Sequence, residues 1–273
     1  MDKRIGDLPN ALGSLSAIAE RLSGRRPAVF LDYDGTLTPI VDRPEDAILT
    51  DAMRATVRDL AERCLVAIVS GRDRPDVQAL VGLDNLFYAG SHGFDIAGPH
   101  GAEIQHEVGA EYYGLLQTLE DALRAEMAGV EGAIVEHKKV SFAVHYRLVS
   151  EAQRADVRAA VDRALADHPD LQVKPGKMVW EVQPRLDWHK GKAVLYLLDA
   201  LDLAGDDVLP LYFGDDHTDE DAFRALAARG PGRGLGIFVG RDDDPEVAGR
   251  VTAADFKVPT PDDAGRLLDR LAR

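Results

Sequence analysis

The chain has 273 residues, of which 45% are apolar, a composition typical of a globular protein long enough to form two domains. Its formal net charge of −15 argues against nucleic acids as partners, because the negative field of the protein would repel a polyanion. The opening residues lack the apolar stretch of a signal peptide, and no apolar run reaches the length of a membrane span. We therefore expect a cytoplasmic, monomeric protein that binds neither nucleic acids nor membranes.

Alternating helical and strand patterns in two parts of the chain predict a parallel sheet covered by helices. The first part, residues 1–105, contains an amphipathic opening helix, the strand before Asp32, a helix over 51–62, a strand over 64–69 and a strand near Leu86–Ala89. The second part, residues 187–273, contains a helix over 190–203, the strand Leu209–Phe213, a helix over 219–229 and a strand over 235–239. We predict that both parts together form one α/β core.

Residues 106–186 follow a different pattern, which predicts an inserted α/β domain. Their order is helix, strand, strand, helix, strand, strand, and the strands alternate polar and apolar residues. Such strands form an antiparallel sheet with its apolar face on the two helices and its polar face open. The polar face would carry Glu136, Lys138, Ser141, His145, Arg147, Lys177 and Glu181. These side chains suit a hydroxyl-rich anionic ligand, although a plain solvated face would explain any single one of them.

The sequence Asp32-Tyr33-Asp34-Gly35-Thr36 places two carboxylates directly after the apolar run Ala28–Leu31. A strand that is apolar on both faces lies inside a parallel sheet, and the residues after it emerge at the edge where open α/β sheets bind ligands. A carboxylate is ionised at neutral pH and can attack an electrophile without a separate base. We interpret Asp32 and Asp34 as candidate catalytic residues; the alternative is a hairpin turn at Asp34-Gly35.

A second polar segment, Ser70-Gly71-Arg72, follows the strand predicted over 64–69. It offers a hydroxyl and backbone amides for phosphate oxygens at the same sheet edge, unless it is only a strand-to-helix turn. Lys190 or Lys192, at the start of a predicted helix, would add the positive charge that an acidic protein needs near a phosphate. The spacing alone does not choose between the two lysines.

A third polar segment, Gly214–Glu220, follows the strand Leu209–Phe213 and holds several carboxylates. Their mutual repulsion would be offset by a cation, and oxygen ligands with an open position suit Mg²⁺. Alternatively, Thr218 or Asp216 caps the next helix, and the other acids favour its positive end. Capping and metal binding are compatible.

In chain order, Asp32–Thr36, Ser70, Lys190 and Gly214–Asp216 resemble the four motifs of the haloacid dehalogenase superfamily of phosphatases. The match spans nearly the whole chain and implies a Rossmann-like core with an inserted α/β cap of the superfamily's sugar-phosphate branch. Within that branch, five segments are similar to the trehalose-6-phosphate phosphatase family, namely Leu31–Leu37, Gly90–Gly93, Glu136–Lys138, His145–Arg147 and Gly214–Glu220.

The resemblance implies a hydrolase that works through an aspartyl phosphate. Asp32 would attack phosphorus, while Asp34 would protonate the leaving sugar oxygen and then activate the hydrolytic water. Ser70 and Lys190 would bind the phosphate group.

The same resemblance implies an Mg²⁺ ion as cofactor. Its ligands would be the Asp32 carboxylate, the Asp34 main-chain carbonyl and the Asp215 carboxylate, with Asp216 and Asp219 in support. The ion would offset the repulsion between an anionic nucleophile and an anionic substrate.

By resemblance the substrate is a small sugar phosphate, and trehalose 6-phosphate is the first candidate. The residues implied to contact it are Arg72, Ser91, His92, Gly93, Glu136, Lys138, His145, Arg147 and Glu181. Closure of the insert as a lid would exclude water and select the sugar together. Sucrose phosphate, mannosylphosphoglycerate and the phosphomutase reaction stay open as alternatives. A non-catalytic sensor of sugar phosphates would be expected to lack Asp32, Asp34 or Lys190, and all three are present.

Overall fold

The computed structural model describes residues 2–41, 43–99, 102, 104–176 and 178–272 of the chain. They group into two compact units: a core unit, Met1–His106 with Trp188–Arg273, and an insert unit, Glu107–Asp187. Lys177, which the sequence pattern assigns to the polar face of the insert, lies outside the described residues. None of the helices formed by the described part of the chain is long and apolar enough to cross a membrane.

Strands and helices alternate along the core unit, and the insert unit interrupts them. Before the insert the elements are β1 (Lys3–Arg4), α1 (Leu15–Leu22), β2 (Arg26–Leu31), α2 (Asp51–Ala61), β3 (Leu65–Val69), α3 (Arg74–Val81), β4 (Phe87–Gly90), β5 (Asp95–Ala97) and β6 (Gln105–Glu107). In the insert they are α4 (Tyr113–Glu126), β7 (Ile134–His137), β8 (Phe142–His145), α5 (Glu151–Leu165), β9 (Leu171–Gly176) and β10 (Val179–Pro184). After it they are α6 (Lys190–Ala200), β11 (Val208–Gly214), α7 (Asp219–Ala228), β12 (Leu235–Val239), β13 (Val251–Thr252), β14 (Phe256–Val258) and α8 (Pro261–Leu271).

A mixed sheet forms the centre of the core unit, with the strand order β14-β12-β11-β2-β3-β4-β5-β6. The strands from β14 to β4 run parallel to one another, whereas β5 pairs antiparallel with β4. A separate short ribbon joins β1 to β13. The predicted α/β fold with a parallel sheet is confirmed, and the structure adds an antiparallel edge that the sequence pattern did not indicate.

The central strands are buried on both faces, which explains why their sequences are apolar without alternation. Val29 and Leu31 of β2 pack in one cluster with residues of α1, α2, α3 and α8, whereas Ala28 and Phe30 pack in a second cluster with residues of α6 and α7. All four side chains are fully buried. Because burial stabilises a side chain of the size of Val, Leu or Phe by about 1.5–3 kcal/mol, β2 is a rigid support for the residue that follows it.

The register of the sheet brings three strand ends to one edge. Leu31, the last residue of β2, lies opposite Phe213 of β11 and Ile68 of β3. The segments that begin at Asp32 and Ser70, and the segment after β11, therefore leave the sheet side by side. This is the edge at which open α/β sheets bind their ligands.

The insert unit is an antiparallel sheet with the strand order β7-β8-β10-β9. Alternate strand residues, among them Phe142, Val144 and Val182, form an apolar cluster with residues of α4 and α5. The other alternate residues face away from that cluster. One row of them crosses the four strands and consists of Glu136, Ala143, Glu181 and Lys174. The predicted antiparallel sheet with two helices is confirmed.

Three polar residues of the insert lie outside the strands in which the alternation placed them: Lys138 follows β7, Ser141 precedes β8 and Arg147 follows β8. Strand β8 ends at His145, and Arg147 lies in the following turn with an exposed side chain. The turn forms because the amide of Val149 donates to the carbonyl of Tyr146 at 3.1 Å, and the ring of Tyr146 stacks on Trp180 with 3.9 Å between centroids. After His145 the chain therefore forms a tight turn beside an aromatic stack and does not continue as a strand.

Candidate active site

The centre of the site is an ammonium group held between two buried carboxylates. Lys190, the first residue of α6, places its Nζ 2.8 Å from Oδ1 of Asp32 and 2.8 Å from Oδ1 of Asp219. The exposed fraction is 4% for Asp32, 2% for Lys190 and 0% for Asp219. The structure thus selects Lys190, not Lys192, as the lysine at this edge. Burial by itself lowers the pKa of Lys190, but the charges of Asp219 and Asp32 outweigh burial and raise it, so the ammonium stays protonated.

Asp219 fixes its neighbours through both carboxylate oxygens. Oδ1 accepts from Lys190 and from the Tyr212 hydroxyl at 2.7 Å. Oδ2 accepts from the backbone amides of Asp215 at 2.9 Å and Asp216 at 3.0 Å. A buried carboxylate with this many donors orients the surrounding chain. Asp219 therefore sets the position of the lysine and the course of the loop after β11.

Asp216 caps the helix that begins at Asp219. Its Oδ1 accepts from the Thr218 amide and hydroxyl, each at 2.7 Å, and from the Asp219 amide at 3.2 Å. Burial favours a higher pKa for Asp216, but the charge of Lys190 and the hydrogen bonds from Thr218 outweigh it and lower the pKa to about 2. The side chain of Asp216 therefore caps the helix, as the alternative interpretation of the sequence predicted.

Asp215 lies against the turn that follows Asp34. Its Oδ1 accepts from the Thr36 hydroxyl at 3.1 Å. Gly35 has φ +83°, and a Cβ there would lie 2.2 Å from Asp215 Oδ2, so this position requires glycine on both counts. The motif glycine therefore lets the segments after β2 and β11 approach each other.

Carboxylate oxygens of Asp32, Asp215 and Asp219 lie within 4.8 Å of one another. Burial and the charge of Asp219 raise the pKa of Asp32, and the same two causes with Asp216 raise that of Asp215 to about 8. Crowded carboxylates resist ionisation unless a cation compensates their charge. Both oxygens of Asp219 accept hydrogen bonds, Oδ1 from Lys190 and Tyr212 and Oδ2 from two backbone amides. The oxygens of Asp32 and Asp215 are therefore those that fit a divalent cation.

The second motif is tied into the end of the sheet. Ser70 is 1% exposed, and its hydroxyl oxygen accepts from the Arg72 amide at 3.1 Å. Its own amide donates to the Ala89 carbonyl at 2.9 Å, and its carbonyl accepts from the His92 amide at 2.8 Å. The segments after β3 and β4 are therefore held together by backbone bonds, and the Ser70 hydroxyl hydrogen can still be donated to an anion.

Arg72 contacts the second aspartate of the first motif. Its Nε donates to Asp34 Oδ2 at 2.7 Å, and its Nη2 donates to Asp34 Oδ1 at 2.8 Å. The hydrogen bond to Asp34 is the largest cause that raises the pKa of the guanidinium. The structure thus brings together two residues to which the resemblance gives separate roles.

Ser91, His92 and Gly93 form a strained turn after β4. Ser91 and His92 have φ of +49° and +57°, values that non-glycine residues rarely adopt. The Ser91 hydroxyl donates to Asp73 Oδ1 at 2.5 Å, and the Gly93 carbonyl accepts from Trp188 Nε1 at 2.8 Å. Through these contacts Ser91 and Gly93 attach the turn to other parts of the core unit.

The polar face of the insert unit carries paired side chains. Glu181 Oε1 accepts from the Ser141 hydroxyl at 2.7 Å and from Lys138 Nζ at 3.4 Å. His145 Nε2 lies 2.6 Å from Glu136 Oε2, and this hydrogen bond is the main cause of the lowered pKa of Glu136. The insert residues implied to bind substrate therefore include two hydrogen-bonded groups, one around Glu181 and one formed by Glu136 and His145.

Sequence reasoning missed two groups that complete the core site. Tyr212 is an interior residue of the buried strand β11, and the need of a buried hydroxyl for a partner is the signal that could have identified it. Arg250 donates from Nη1 to the Asp215 carbonyl at 3.3 Å and lies over the ring of Phe238. It belongs to a loop far along the chain, and no local pattern indicates its partner.

Comparison with known proteins gives one consistent result. The sequence model of the trehalose-phosphatase family matches residues 30–254. The trehalose-phosphate phosphatase of Mycolicibacterium paratuberculosis is 42% identical over 272 residues, which cover 99% of this chain and 68% of the relative. The trehalose 6-phosphate phosphatase RA3 of Zea mays is 38% identical over 277 residues, which cover 97% of this chain and 74% of the relative.

The fold is also found among solved structures. The C-terminal domain of the trehalose-6-phosphate phosphatase of C. albicans superposes with a TM-score of 0.75 at 24% identity. The match covers 97% of this chain and 98% of that domain. At this identity the likeness concerns the fold, and it extends over both units of the chain.

Replacing Tyr212 by phenylalanine tests the network around Asp219. The substitution removes the donor to a buried carboxylate, and a hydrogen bond to a charged group contributes about 1.5–3 kcal/mol. We expect Tyr212→Phe to lower the free energy of unfolding by about that amount in denaturant titrations.

Tyr88→Phe is the matched control, because the Tyr88 hydroxyl donates to the neutral carbonyl of Leu83 at 2.6 Å. Its expected loss is about 0.5–1.5 kcal/mol. Equal losses in the free energy of unfolding for the two variants would show that the hydrogen bond to Asp219 stabilises the protein no more than a bond to a neutral carbonyl.

Proposed function

Because the chain belongs to the trehalose-phosphatase family, we propose that it hydrolyses trehalose 6-phosphate to trehalose and inorganic phosphate through a phosphorylated Asp32. The family makes it a phosphoric monoester hydrolase that acts on a small sugar phosphate. The observation that carries the mechanism is the buried Asp32 carboxylate at the sheet edge, 2.8 Å from the Lys190 ammonium.

In the first step an oxygen of Asp32 forms a bond to phosphorus as the bond from phosphorus to the sugar oxygen breaks. Asp34, protonated for this step, gives its proton to the leaving sugar oxygen. In the second step water attacks the same phosphorus, Asp34 takes its proton, and the bond from phosphorus to Asp32 breaks. Inorganic phosphate is released, and Asp32 returns to its carboxylate form. The 41% exposure of the Asp34 side chain supports this role, because substrate and water must both reach it.

Lys190 and Ser70 are the proposed phosphate ligands. Lys190 carries a positive charge in a buried position, where a charge interacts strongly with an anion. Ser70 is held in place by the Arg72 amide, and its hydroxyl hydrogen is the donor for a phosphate oxygen. The two groups together would hold the substrate for attack by Asp32.

Mg²⁺ is the proposed cofactor. The oxygens of Asp32 and Asp215 lie close together, and with the main-chain carbonyl of Asp34 they would form the hard donor set that this ion prefers. When bound, it neutralises charge that would repel the phosphate from the nucleophile. Asp216 and Asp219 support the set by fixing the loop after β11.

The polar face of the insert unit is the proposed reader of the sugar. Glu136, Lys138, His145 and Glu181 combine donors and acceptors in fixed pairs, which suits the hydroxyl groups of a disaccharide. Arg147, exposed in the turn after β8, would add a contact from its edge. Specificity for the sugar would then depend on the insert, and catalysis on the core unit.

The substrate and the nucleophile are tested together by phosphate release from a panel of sugar phosphates. We expect trehalose 6-phosphate to be preferred over sucrose phosphate and mannosylphosphoglycerate. Activity should need Mg²⁺ and disappear with a chelator. Asp32→Asn should lower kcat about a thousandfold or more, because an amide does not replace the carboxylate nucleophile.

The thermal unfolding of Asp32→Asn serves as the control for folding, since the amide keeps the shape of the side chain. Preference for another sugar phosphate would reject the assigned substrate. Full activity of Asp32→Asn would reject the assigned nucleophile, and transfer of phosphate to a second sugar hydroxyl would indicate a mutase.

The role of the insert is tested by Glu181→Ala. Loss of a charged hydrogen-bond partner for the sugar should raise KM for trehalose 6-phosphate about tenfold or more. KM for 4-nitrophenyl phosphate, which has no sugar, should not change. Lys174→Ala is the matched control, because Lys174 lies beside Glu181 in the same row of the sheet. An equal rise in KM for both substrates would count against sugar recognition by Glu181.

A further inference from the structure

We propose that Arg72 is the positioning residue of Asp34, and that its guanidinium holds the Asp34 carboxylate in the orientation needed for proton transfer. This inference rests on the proposed function, in which Asp34 is the acid and base of the reaction. It gives Arg72 a role different from the substrate contact that the family resemblance implies.

The contact between the two side chains has bidentate geometry. Nε and Nη2 of Arg72 reach the two oxygens of Asp34 at 2.7 and 2.8 Å. Two parallel bonds fix the plane of a carboxylate as well as its position, which one bond cannot do. The Arg72 side chain is 12% exposed against 41% for Asp34. The less exposed residue of the pair therefore orients a partner that remains open to substrate and water.

The guanidinium is itself fixed on its other sides. Nη2 also donates to the Pro44 carbonyl at 2.8 Å, and Nη1 donates to Asp76 Oδ2 at 3.2 Å. The ring of Tyr33 lies 5.5 Å from the guanidinium carbon. The hydrogen bonds to Asp34, Pro44 and Asp76 together use four N–H bonds of Arg72. An arginine offers five. Little capacity is left for a phosphate, whereas every contact serves to hold the fork that binds Asp34.

The orientation of Asp34 matters because a proton moves only when donor and acceptor lie within hydrogen-bond reach. A misplacement of about 1 Å can lower a rate about a hundredfold. Lysine has the same charge as arginine but only a single point donor, so it cannot reproduce the fork. Both Arg72→Ala and Arg72→Lys should therefore release Asp34 from its fixed plane.

Rapid-mixing kinetics with 4-nitrophenyl phosphate isolate the step at which Asp34 acts. Nitrophenolate leaves without protonation, so transfer of the phosphoryl group to Asp32 should keep its rate in both variants. Hydrolysis of phosphorylated Asp32 needs the base, and it should slow about tenfold to a hundredfold. The variants should thus show a nitrophenolate burst followed by slow turnover. Their kcat/KM, which reports binding and transfer to Asp32 and not the later hydrolysis, should stay within about twofold of the parent value.

Arg241→Ala is the matched control. Arg241 makes a fork of the same geometry with Asp243, at 2.9 and 2.8 Å, on the surface. Its removal should change neither step. Thermal unfolding of each variant checks folding, and Arg72→Lys keeps the test valid if Arg72→Ala does not fold.

A double-mutant comparison distinguishes the positioning role from a substrate contact. If Arg72 acts through Asp34, Arg72→Ala should change neither the burst rate nor the hydrolysis rate when Asp34 is already asparagine. If Arg72 binds phosphate directly, the burst slows and KM rises in both backgrounds, which would overturn the inference. If the parent transfers phosphate to Asp32 and Arg72→Ala hydrolyses phosphorylated Asp32 at the parent rate, the positioning role of Arg72 is overturned and the proposed mechanism stands. Absence of any transfer to Asp32 in the parent would reject the proposed mechanism, and this role with it.

Discussion

The ammonium group of Lys190 sits 2.8 Å from each of two buried carboxylates, and the rest of the site depends on this interaction. Asp32 would be costly to ionise in its buried position without a nearby positive charge. Asp219 holds the lysine from the other side and is itself held by the Tyr212 hydroxyl. The lysine therefore offsets negative charge at Asp32, but the raised pKa of Asp32 and Asp215 indicates that it does not offset all of it. The remaining excess explains why a divalent cation suits this edge of the sheet.

The fold brings these groups together through the register of three neighbouring strands. Because β11, β2 and β3 end at the same edge, residues that are distant in the sequence need only short turns to meet. The close approach has strict steric requirements at glycines. A side chain at Gly35 would displace Asp215, and one at Gly191 would place its Cβ 2.2 Å from the Asp221 carbonyl of α7. Glycine at these positions thus permits the contact between loops and the contact between helices.

Much of the fold could be predicted from the sequence, because the signals are local. The unbroken apolar run Ala28–Leu31 indicates a strand buried on both faces, and the alternation in the insert indicates a sheet with one polar face. The confirmed α/β core and antiparallel insert follow from these patterns. The edge at which Asp32 and Asp34 lie follows too, since a polar segment after a buried parallel strand can emerge nowhere else.

The pairing of side chains could not be predicted in this way. Arg72 and Asp34 come from different strand ends, and only the three-dimensional register shows that the guanidinium meets a carboxylate. Tyr212 looks like one more apolar residue of its strand, because its hydroxyl contact depends on the start of a helix seven residues later. The positive φ of Ser91 and His92 has no sequence signal, since neither is glycine. Long-range geometry, not composition, decides each of these cases.

Identification of the phosphorylated residue shows whether Asp32 is the nucleophile of the reaction. The enzyme is mixed with trehalose 6-phosphate and Mg²⁺, quenched in acid during turnover, and digested for peptide mass spectrometry. We expect a phosphoryl group on Asp32 that forms and decays at rates compatible with turnover. Rapid hydrolysis without any phosphorylated peptide, or with the group on another residue, would contradict it.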